Sequence, residues 1–258
     1  MTNAQCQLHH KTALGPCTRC GTFVCEDCVV PGQSLSCARC RLLGAVDRVP
    51  TPWERRAELG YVQGLFQTWK MSLFQPDTFY RSVQPEGSTR DAMIYGWLMG
   101  LLVVPPNVLY NAWNFESFKA QLSMLGTHLP PWFMHLTPVQ YGLMVGFLPM
   151  ILYPLSFFIT VGIIHLGCAI FGANKYGFGA TARAVGYAQG PILAAWIPVV
   201  GGLGAIYIIV LQIFGVARMQ EVSGGRATLA VLIGPVLFAC VIGCIGGFAI
   251  AGALSQVH

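Results

Sequence analysis

One long uncharged stretch constrains the fold of this 258-residue chain more than any other feature. No Asp, Glu, Lys or Arg occurs from Ala184 to Ala217, and the stretch is interrupted by Pro191, Pro198 and the pair Gly201–Gly202. One bilayer crossing needs about 20 residues, at about 1.5 Å of rise per residue. Lipid cannot satisfy backbone N–H and C=O groups, so such a stretch must be helical except where protein covers a turn. The sequence therefore predicts two membrane spans joined at Gly201–Gly202.

Charged residues divide the chain into a polar and an apolar part. Residues 92–258 contain only seven Asp, Glu, Lys or Arg side chains, and the whole chain is 54% hydrophobic and 10% charged. Soluble domains ordinarily carry about 25% charged residues. The net charge of +5 is spread too thinly for a nucleic-acid-binding face, so we expect no nucleic-acid partner.

Apolar runs in the second part predict an all-α polytopic membrane domain whose natural partner is the lipid bilayer. We predict five transmembrane helices, at about 92–111, 140–171, 184–199, 202–218 and 227–253. Pro105–Pro106 should kink or shorten the first of them. The domain boundaries that follow are 1–44 for a cysteine-rich module, 45–91 for a linker with a juxtamembrane helix, and 92–258 for the membrane domain.

Positively charged residues orient the predicted spans. One side of the membrane receives Arg81, Arg90, Lys175, Arg183, Arg218 and Arg226. The other side receives Lys119, which has Glu116 beside it. Because Lys and Arg accumulate in cytoplasmic segments, we predict a cytosolic N-terminus and a C-terminus on the opposite side.

Four regularly spaced ligand pairs occupy the first forty residues. The pairs are Cys6/His9, Cys17/Cys20, Cys25/Cys28 and Cys37/Cys40. A two-residue gap lets both side chains of a pair reach one metal ion, and eight ligands suffice for two tetrahedral Zn²⁺ ions. No export signal precedes them, so we expect a reducing cytosol, where paired thiols bind metal rather than form disulfides. The alternatives are one structural zinc with leftover thiols, or a redox CxxC motif. Ligands supplied entirely by protein would make this zinc structural.

This spacing resembles the B-box zinc finger over nearly all of residues 6–40. The resemblance implies a cross-brace, in which alternate pairs share a metal ion. One zinc would then be held by Cys6, His9, Cys25 and Cys28, and the other by Cys17, Cys20, Cys37 and Cys40. The last pair is often His in that family and is Cys here, which zinc accepts equally well. His10 could replace His9, but the two-residue gap favours His9.

A juxtamembrane helix is predicted between the module and the first span. Thr51 and Glu54 form a capping box with Pro52 between them, and Gln75–Pro76 ends the helix after Phe74. Apolar residues recur along it at three- and four-residue spacing, with Trp53 and Trp69 suited to the headgroup zone. The helix could lie in the membrane interface or pack on the rest of the protein.

The remainder of the chain resembles the Yip family, the Ypt/Rab-interacting membrane domain, in its bacterial-type branch. The resemblance covers residues 65–255. It rests on Trp69-Lys70, Leu73-Phe74-x-Pro76-x-x-Phe79-Tyr80-Arg81-Ser82-Val83, Pro85-Glu86-Gly87-Ser88, Gly186-Tyr187-Ala188-x-x-Pro191, Ile197-Pro198-x-x-Gly201 and Leu211-Gln212-x-x-Gly215. It implies five membrane helices with a cytosolic N-terminal region, and eukaryotic members are linked to Rab GTPases and vesicle traffic. The branch favours a bacterial inner membrane over Golgi or endoplasmic reticulum.

Other polar features of the spans offer little chemistry. His165 and Cys168 lie one helical turn apart and are either packing residues or half a metal site. Gln189 and Gln212 need hydrogen-bond partners inside the bundle. Gly243 and Gly247 form a small-residue face suited to the bundle itself or to a second copy of the chain. No catalytic arrangement has usable spacing, so we expect no enzyme activity.

These observations lead to three functional hypotheses. The first is a non-enzymatic membrane adaptor that presents its zinc finger to an unknown protein partner. The second is a small channel or transporter that the finger regulates. The third is a membrane-shaping or trafficking protein of Yip type, which acts through its amphipathic helix and its proline-kinked hairpins.

Overall fold

The computed structural model describes residues 4–6, 8–17, 21–29, 35, 37–38, 40, 48–124 and 130–236. The chain divides into two compact units. The first comprises Met1–Pro50 with Arg81–Gln84, and the second comprises Thr51–Tyr80 with Pro85–His258.

The first unit is built on a cysteine core. Strands β1 (Gly15–Pro16) and β2 (Phe23–Val24) pair antiparallel, and a 3-10 turn spans Glu26–Cys28. Its buried residues are Cys6, Cys17, Val24, Cys25, Cys28 and Cys40, with Val29, Leu35 and Cys37 packed against them. Thiols dominate this core and Val24 is the one aliphatic residue among the described buried set, so the unit needs a further source of stability.

The second unit is helical. Its helices, labelled in chain order, are α1 Arg56–Leu59, α2 Tyr61–Phe74, α3 Pro76–Ser82, α4 Thr89–Met124, α5 Pro131–Met134, α6 Pro138–Ile170, α7 Gly177–Tyr187, α8 Val200–Met219 and α9 Gly224–Val236. The last two residues of α3 belong to the first unit. Three of the described helices, α4, α6 and α8, are long and apolar enough to cross a membrane. The prediction of a mostly helical membrane protein is therefore confirmed, whereas the described residues do not establish five spans.

Helix α4 is much longer than the predicted span 92–111. It continues through Pro105–Pro106 and ends at Met124. Just after these prolines, α4 packs closely against α6. A Cβ atom added at Gly142 of α6 would lie 2.6 Å from the carbonyl oxygen of Val108. Helix α6 lies within a residue or two of the predicted span 140–171 and starts at a capping box formed by Thr137 and Gln140.

The predicted span 184–199 is not one continuous helix. Helix α7 ends at Tyr187, a 3-10 turn covers Gly190–Ala194, and Val199 adopts a left-handed φ of 65° before α8 begins. Pro191 and Pro198 explain the break, because each removes a backbone donor that a continuous helix would use. The predicted last span, 227–253, begins in α9, and its residues from 237 onward lie outside the described part of the chain.

The juxtamembrane helix is divided where the sequence predicted one element. Gly60, with a φ of 89°, separates α1 from α2, and the predicted end at Phe74 is confirmed. The predicted capping box is present, since the backbone N–H of Thr51 donates to Glu54 at 2.8 Å and that of Glu54 donates to Thr51 Oγ1 at 3.2 Å. Trp53 does not face the headgroup zone: it is buried, and its indole N–H donates to the carbonyl oxygen of Asp91 at 2.9 Å.

Candidate metal centre

The first unit brings one His and three Cys side chains together. The ligand atoms of Cys6, His9, Cys25 and Cys28 all lie within 4.8 Å of one another. Nδ1 of His9 is 3.3 Å from Sγ of Cys25 and 3.3 Å from Sγ of Cys28. The sulfur of Cys28 is 3.5 Å from that of Cys6 and 3.9 Å from that of Cys25.

These separations fit a tetrahedral zinc ion. Zinc–sulfur bonds of about 2.3 Å place the sulfur atoms of a tetrahedron about 3.8 Å apart, and the shorter zinc–nitrogen bond brings sulfur and nitrogen closer. The three thiols are buried whereas His9 is exposed, so the group forms a closed pocket with one imidazole at its edge. Zinc bound here would have four protein ligands and would add its binding energy to the folding of a unit with few aliphatic residues.

Short turns place the ligands. The backbone N–H of His10 donates to the carbonyl oxygen of Cys6 at 2.9 Å, and His10 takes a positive φ of 52° to close that turn. Cys25 and Cys28 lie at the two ends of the 3-10 turn, where the Cys28 N–H donates to the Cys25 carbonyl at 3.0 Å. Lys11 and Asp27 connect the two turns by an ion pair of 2.7 Å.

Two thiols of this group have shifted pKa values. A hydrogen bond from the backbone of His9 lowers the pKa of the Cys6 thiol to about 6. Burial raises the pKa of the Cys28 thiol to about 11. Zinc binds cysteine as the thiolate, so metal binding here would release thiol protons.

A second ligand group contains Cys17, Cys37 and Cys40, whose sulfur atoms also lie within 4.8 Å of one another. The backbone N–H of Cys37 donates to Sγ of Cys17 at 3.3 Å, and that of Cys40 donates to Sγ of Cys37 at 3.4 Å. Cys20, the predicted fourth ligand, lies outside the described residues. The two groups join alternate pairs, which is the arrangement that the cross-brace resemblance implies.

The polar residues predicted inside the spans form ordinary internal contacts. Nδ1 of His165 lies 3.2 Å from Oγ1 of Thr181, and no metal-ligand group among the described residues includes His165 or Cys168. The side-chain amide of Gln189 donates to the carbonyl oxygen of Val185 at 3.3 Å. The predicted face at Gly243 and Gly247 lies outside the described residues.

Sequence reasoning missed a buried ion pair in the second unit. Arg183, which the charge pattern assigned to topology alone, is fully buried in α7 and bonds to Glu54 with both of its terminal nitrogens. The guanidinium also lies 5.6 Å from the ring of Tyr187, whose hydroxyl accepts from Thr51 at 3.2 Å. The available signal was the position of Arg183 directly before the uncharged stretch.

Comparison with known proteins gives one family match. The family model described as the Yip1 domain matches residues 70–246, which include α3 to α9. No curated protein and no solved structure matches this chain.

Proposed function

Since this chain belongs to the Yip1 domain family, we propose that it is a non-enzymatic integral membrane adaptor. Five spans anchor it, and a B-box-like zinc module at its N-terminus contacts a partner protein at the cytosolic face. In this proposal the two spans beyond α4, α6 and α8 come from the segment around Pro191 and from 227–253. The bias of Lys and Arg toward one side supports the cytosolic N-terminus.

The observation that carries the proposal is the closed ligand group Cys6, His9, Cys25 and Cys28. Four protein ligands fill the coordination sphere of zinc and leave no position for water or substrate, which is the pattern of a structural site. Large apolar side chains on the same unit remain exposed: Leu8 is 67% exposed and Leu14 is 61% exposed. A rigid module with an apolar outer surface is suited to protein contact.

Affinity capture of the full-length protein from gently solubilised native membranes tests this proposal. The test variant is Cys17→Ser/Cys20→Ser, and the control is Cys168→Ser, which removes a buried thiol of α6. We expect a defined partner with the unaltered protein and with the control, and its loss with the test variant. Capture of the same proteins by all three would contradict the adaptor role.

A second candidate function, membrane shaping or trafficking, is favoured by α2. Its buried residues are small or polar, namely Gly64, Thr68 and Ser72. Its large apolar residues face outward, with Val62 81% exposed and Phe66 56% exposed. An outward apolar row on a helix that adjoins membrane spans is suited to insertion among lipid headgroups.

Deformation of protein-free vesicles by the purified protein tests this second function. The variant Val62→Asp/Phe66→Asp places two charges on the apolar row, and Gln63→Asp places one on an exposed neighbouring position. Deformation that the double variant loses and the control retains would support membrane shaping. No deformation by the unaltered protein would exclude it.

A further inference from the structure

The C-terminal half of α4 carries a polar pocket that the adaptor proposal does not use. Its cavity volume is about 300 Å³, which is at the small end of ligand sites. Its polar lining consists of Tyr110, Asn111, Asn114, Ser117 and Gln121 of α4 and Tyr141 of α6. These α4 residues recur at three- and four-residue spacing and so share one face of the helix.

The lining offers hydrogen bonds without charge. The side-chain amides of Asn111 and Asn114 donate to backbone carbonyls one turn earlier, at 2.9 and 2.8 Å, which leaves their oxygens as acceptors. The side chains of Ser117 and Gln121 are exposed and can donate hydrogen bonds to a ligand. No lining residue in the described part of the chain is charged. The ammonium group of the nearby Lys119 forms an ion pair with Glu116, with 2.8 Å between Nζ and Oε1, and lies over the ring of Phe115.

Aromatic rings form one wall of the pocket. The ring of Tyr141 stacks on Phe115 with a centroid distance of 4.5 Å and lies 5.8 Å from Phe118, which also lines the cavity. Phe115 behind this wall is fully buried, whereas Phe118 is 37% exposed and accessible to a ligand. A flat aromatic surface beside uncharged donors and acceptors suits a ligand with an apolar face and many hydroxyl groups.

We propose that this pocket binds an uncharged sugar ring. No described lining residue carries a charge that could pair with a phosphate, carboxylate or ammonium group, so the lining offers such ligands no ion pair. The many hydrogen-bonding groups disfavour a purely apolar ligand, which would leave them without partners. A sugar satisfies both conditions and fits the volume.

The position of the pocket brings it close to lipid. Helix α4 has 36 residues and is therefore about 54 Å long, longer than the ~30 Å hydrocarbon core. Beside the pocket, Leu109 is 71% exposed and Trp113 is 88% exposed, as expected of side chains in the membrane interface. The sugar could therefore be the headgroup of a glycolipid or a free sugar, and one experiment can distinguish these sources.

The experiment uses the full-length protein in phosphatidylcholine nanodiscs. Native mass spectrometry measures the retention of glucosyl-diacylglycerol or galactosyl-diacylglycerol, and calorimetry measures the binding of free glucose and galactose. The test variants are Gln121→Leu and Asn114→Leu, and the control is Ser123→Leu, which changes an exposed position outside the lining. Because the Gln121 side chain is exposed, its replacement should leave the fold unchanged.

We expect the unaltered protein and the Ser123→Leu control to retain the glycolipid in preference to phosphatidylcholine, or to bind free glucose or galactose in the calorimeter. Each test variant should weaken that binding about fivefold to tenfold through lost hydrogen bonds. Retention of the glycolipid without binding of free sugar would show that the ligand is a glycolipid headgroup. Binding of free glucose or galactose would show that the ligand is a soluble sugar. Equal retention of all lipids with no binding of free sugar, or equal affinity in Gln121→Leu and the control, would overturn the proposal. The proposal does not depend on the adaptor role.

Discussion

The guanidinium of Arg183 is held by the carboxylate of Glu54, a residue 129 positions earlier in the chain. One of its two hydrogen bonds, from Nη2 to Oε2, measures 3.1 Å. The Arg183 side chain is 0% exposed and that of Glu54 is 10% exposed, so the pair is almost free of water. It ties the turn that begins at Thr51 to helix α7. Glu54 lies outside the family match at 70–246 and Arg183 lies inside it.

Removal of the Glu54 charge should destabilise the membrane domain strongly. Glu54→Gln leaves a buried guanidinium without its counter-charge, and we expect the free energy of unfolding to fall by about 3 kcal/mol. Thermal unfolding in nanodiscs measures the loss. Glu58→Gln is the control because Glu58 is an exposed carboxylate of α1. Equal unfolding midpoints for the two variants would mean that the ion pair does not contribute to the free energy of unfolding.

A different ion pair of the same unit should matter much less. Arg218 Nε lies 2.6 Å from Asp77 Oδ1, but the side chains are 35% and 45% exposed. Water and salt screen such a pair, so we expect Asp77→Asn to cost at most about 1 kcal/mol. The same unfolding measurement compares it with Glu54→Gln. An Asp77→Asn effect as large as that of Glu54→Gln would refute the assignment of the stabilisation to burial.

A methyl group at Gly87 should displace the buried guanidinium. A Cβ atom built at Gly87 would lie 2.3 Å from Nη1 and 2.6 Å from Cζ of Arg183. Because Arg183 is enclosed, we expect Gly87→Ala to destabilise the fold by about 1–3 kcal/mol, as overpacking does. Gly202→Ala is the matched control, since a Cβ there meets no atom within 4 Å. The prediction fails if both alanine variants unfold at the same temperature.

The sequence could predict the features that depend on local pattern. The length of the apolar runs indicated α4, α6 and α8, and the pair spacing indicated the Cys and His side chains that lie together in the first unit. Features that depend on tertiary contact were missed. Glu54 fits a capping box, and nothing local indicates that its carboxylate also meets Arg183. Likewise, Gly60 fits a helix interior by pattern alone, and only its φ of 89° reveals the break.

Metal removal should unfold the first unit and spare the second. Thiols rather than aliphatic side chains fill the core around Val24, so a chelator should abolish amide protection there. Hydrogen exchange should show this loss across β1 and β2 and unchanged protection in α4 and α6. Lowering the pH should also unfold the first unit, because Cys and His ligands must be deprotonated to bind metal. Unchanged protection of β1 and β2 after chelation would show that metal does not stabilise this unit.

The zinc content of the purified full-length protein decides whether the first unit is a two-zinc module. If alternate ligand pairs form two closed sites, elemental analysis should find two zinc ions per chain. Cys17→Ser/Cys20→Ser should remove one of them and leave the ion at Cys6, His9, Cys25 and Cys28. The absence of zinc from the unaltered protein, or the same zinc content in the variant, would show that the first unit does not hold two zinc ions in alternate ligand pairs.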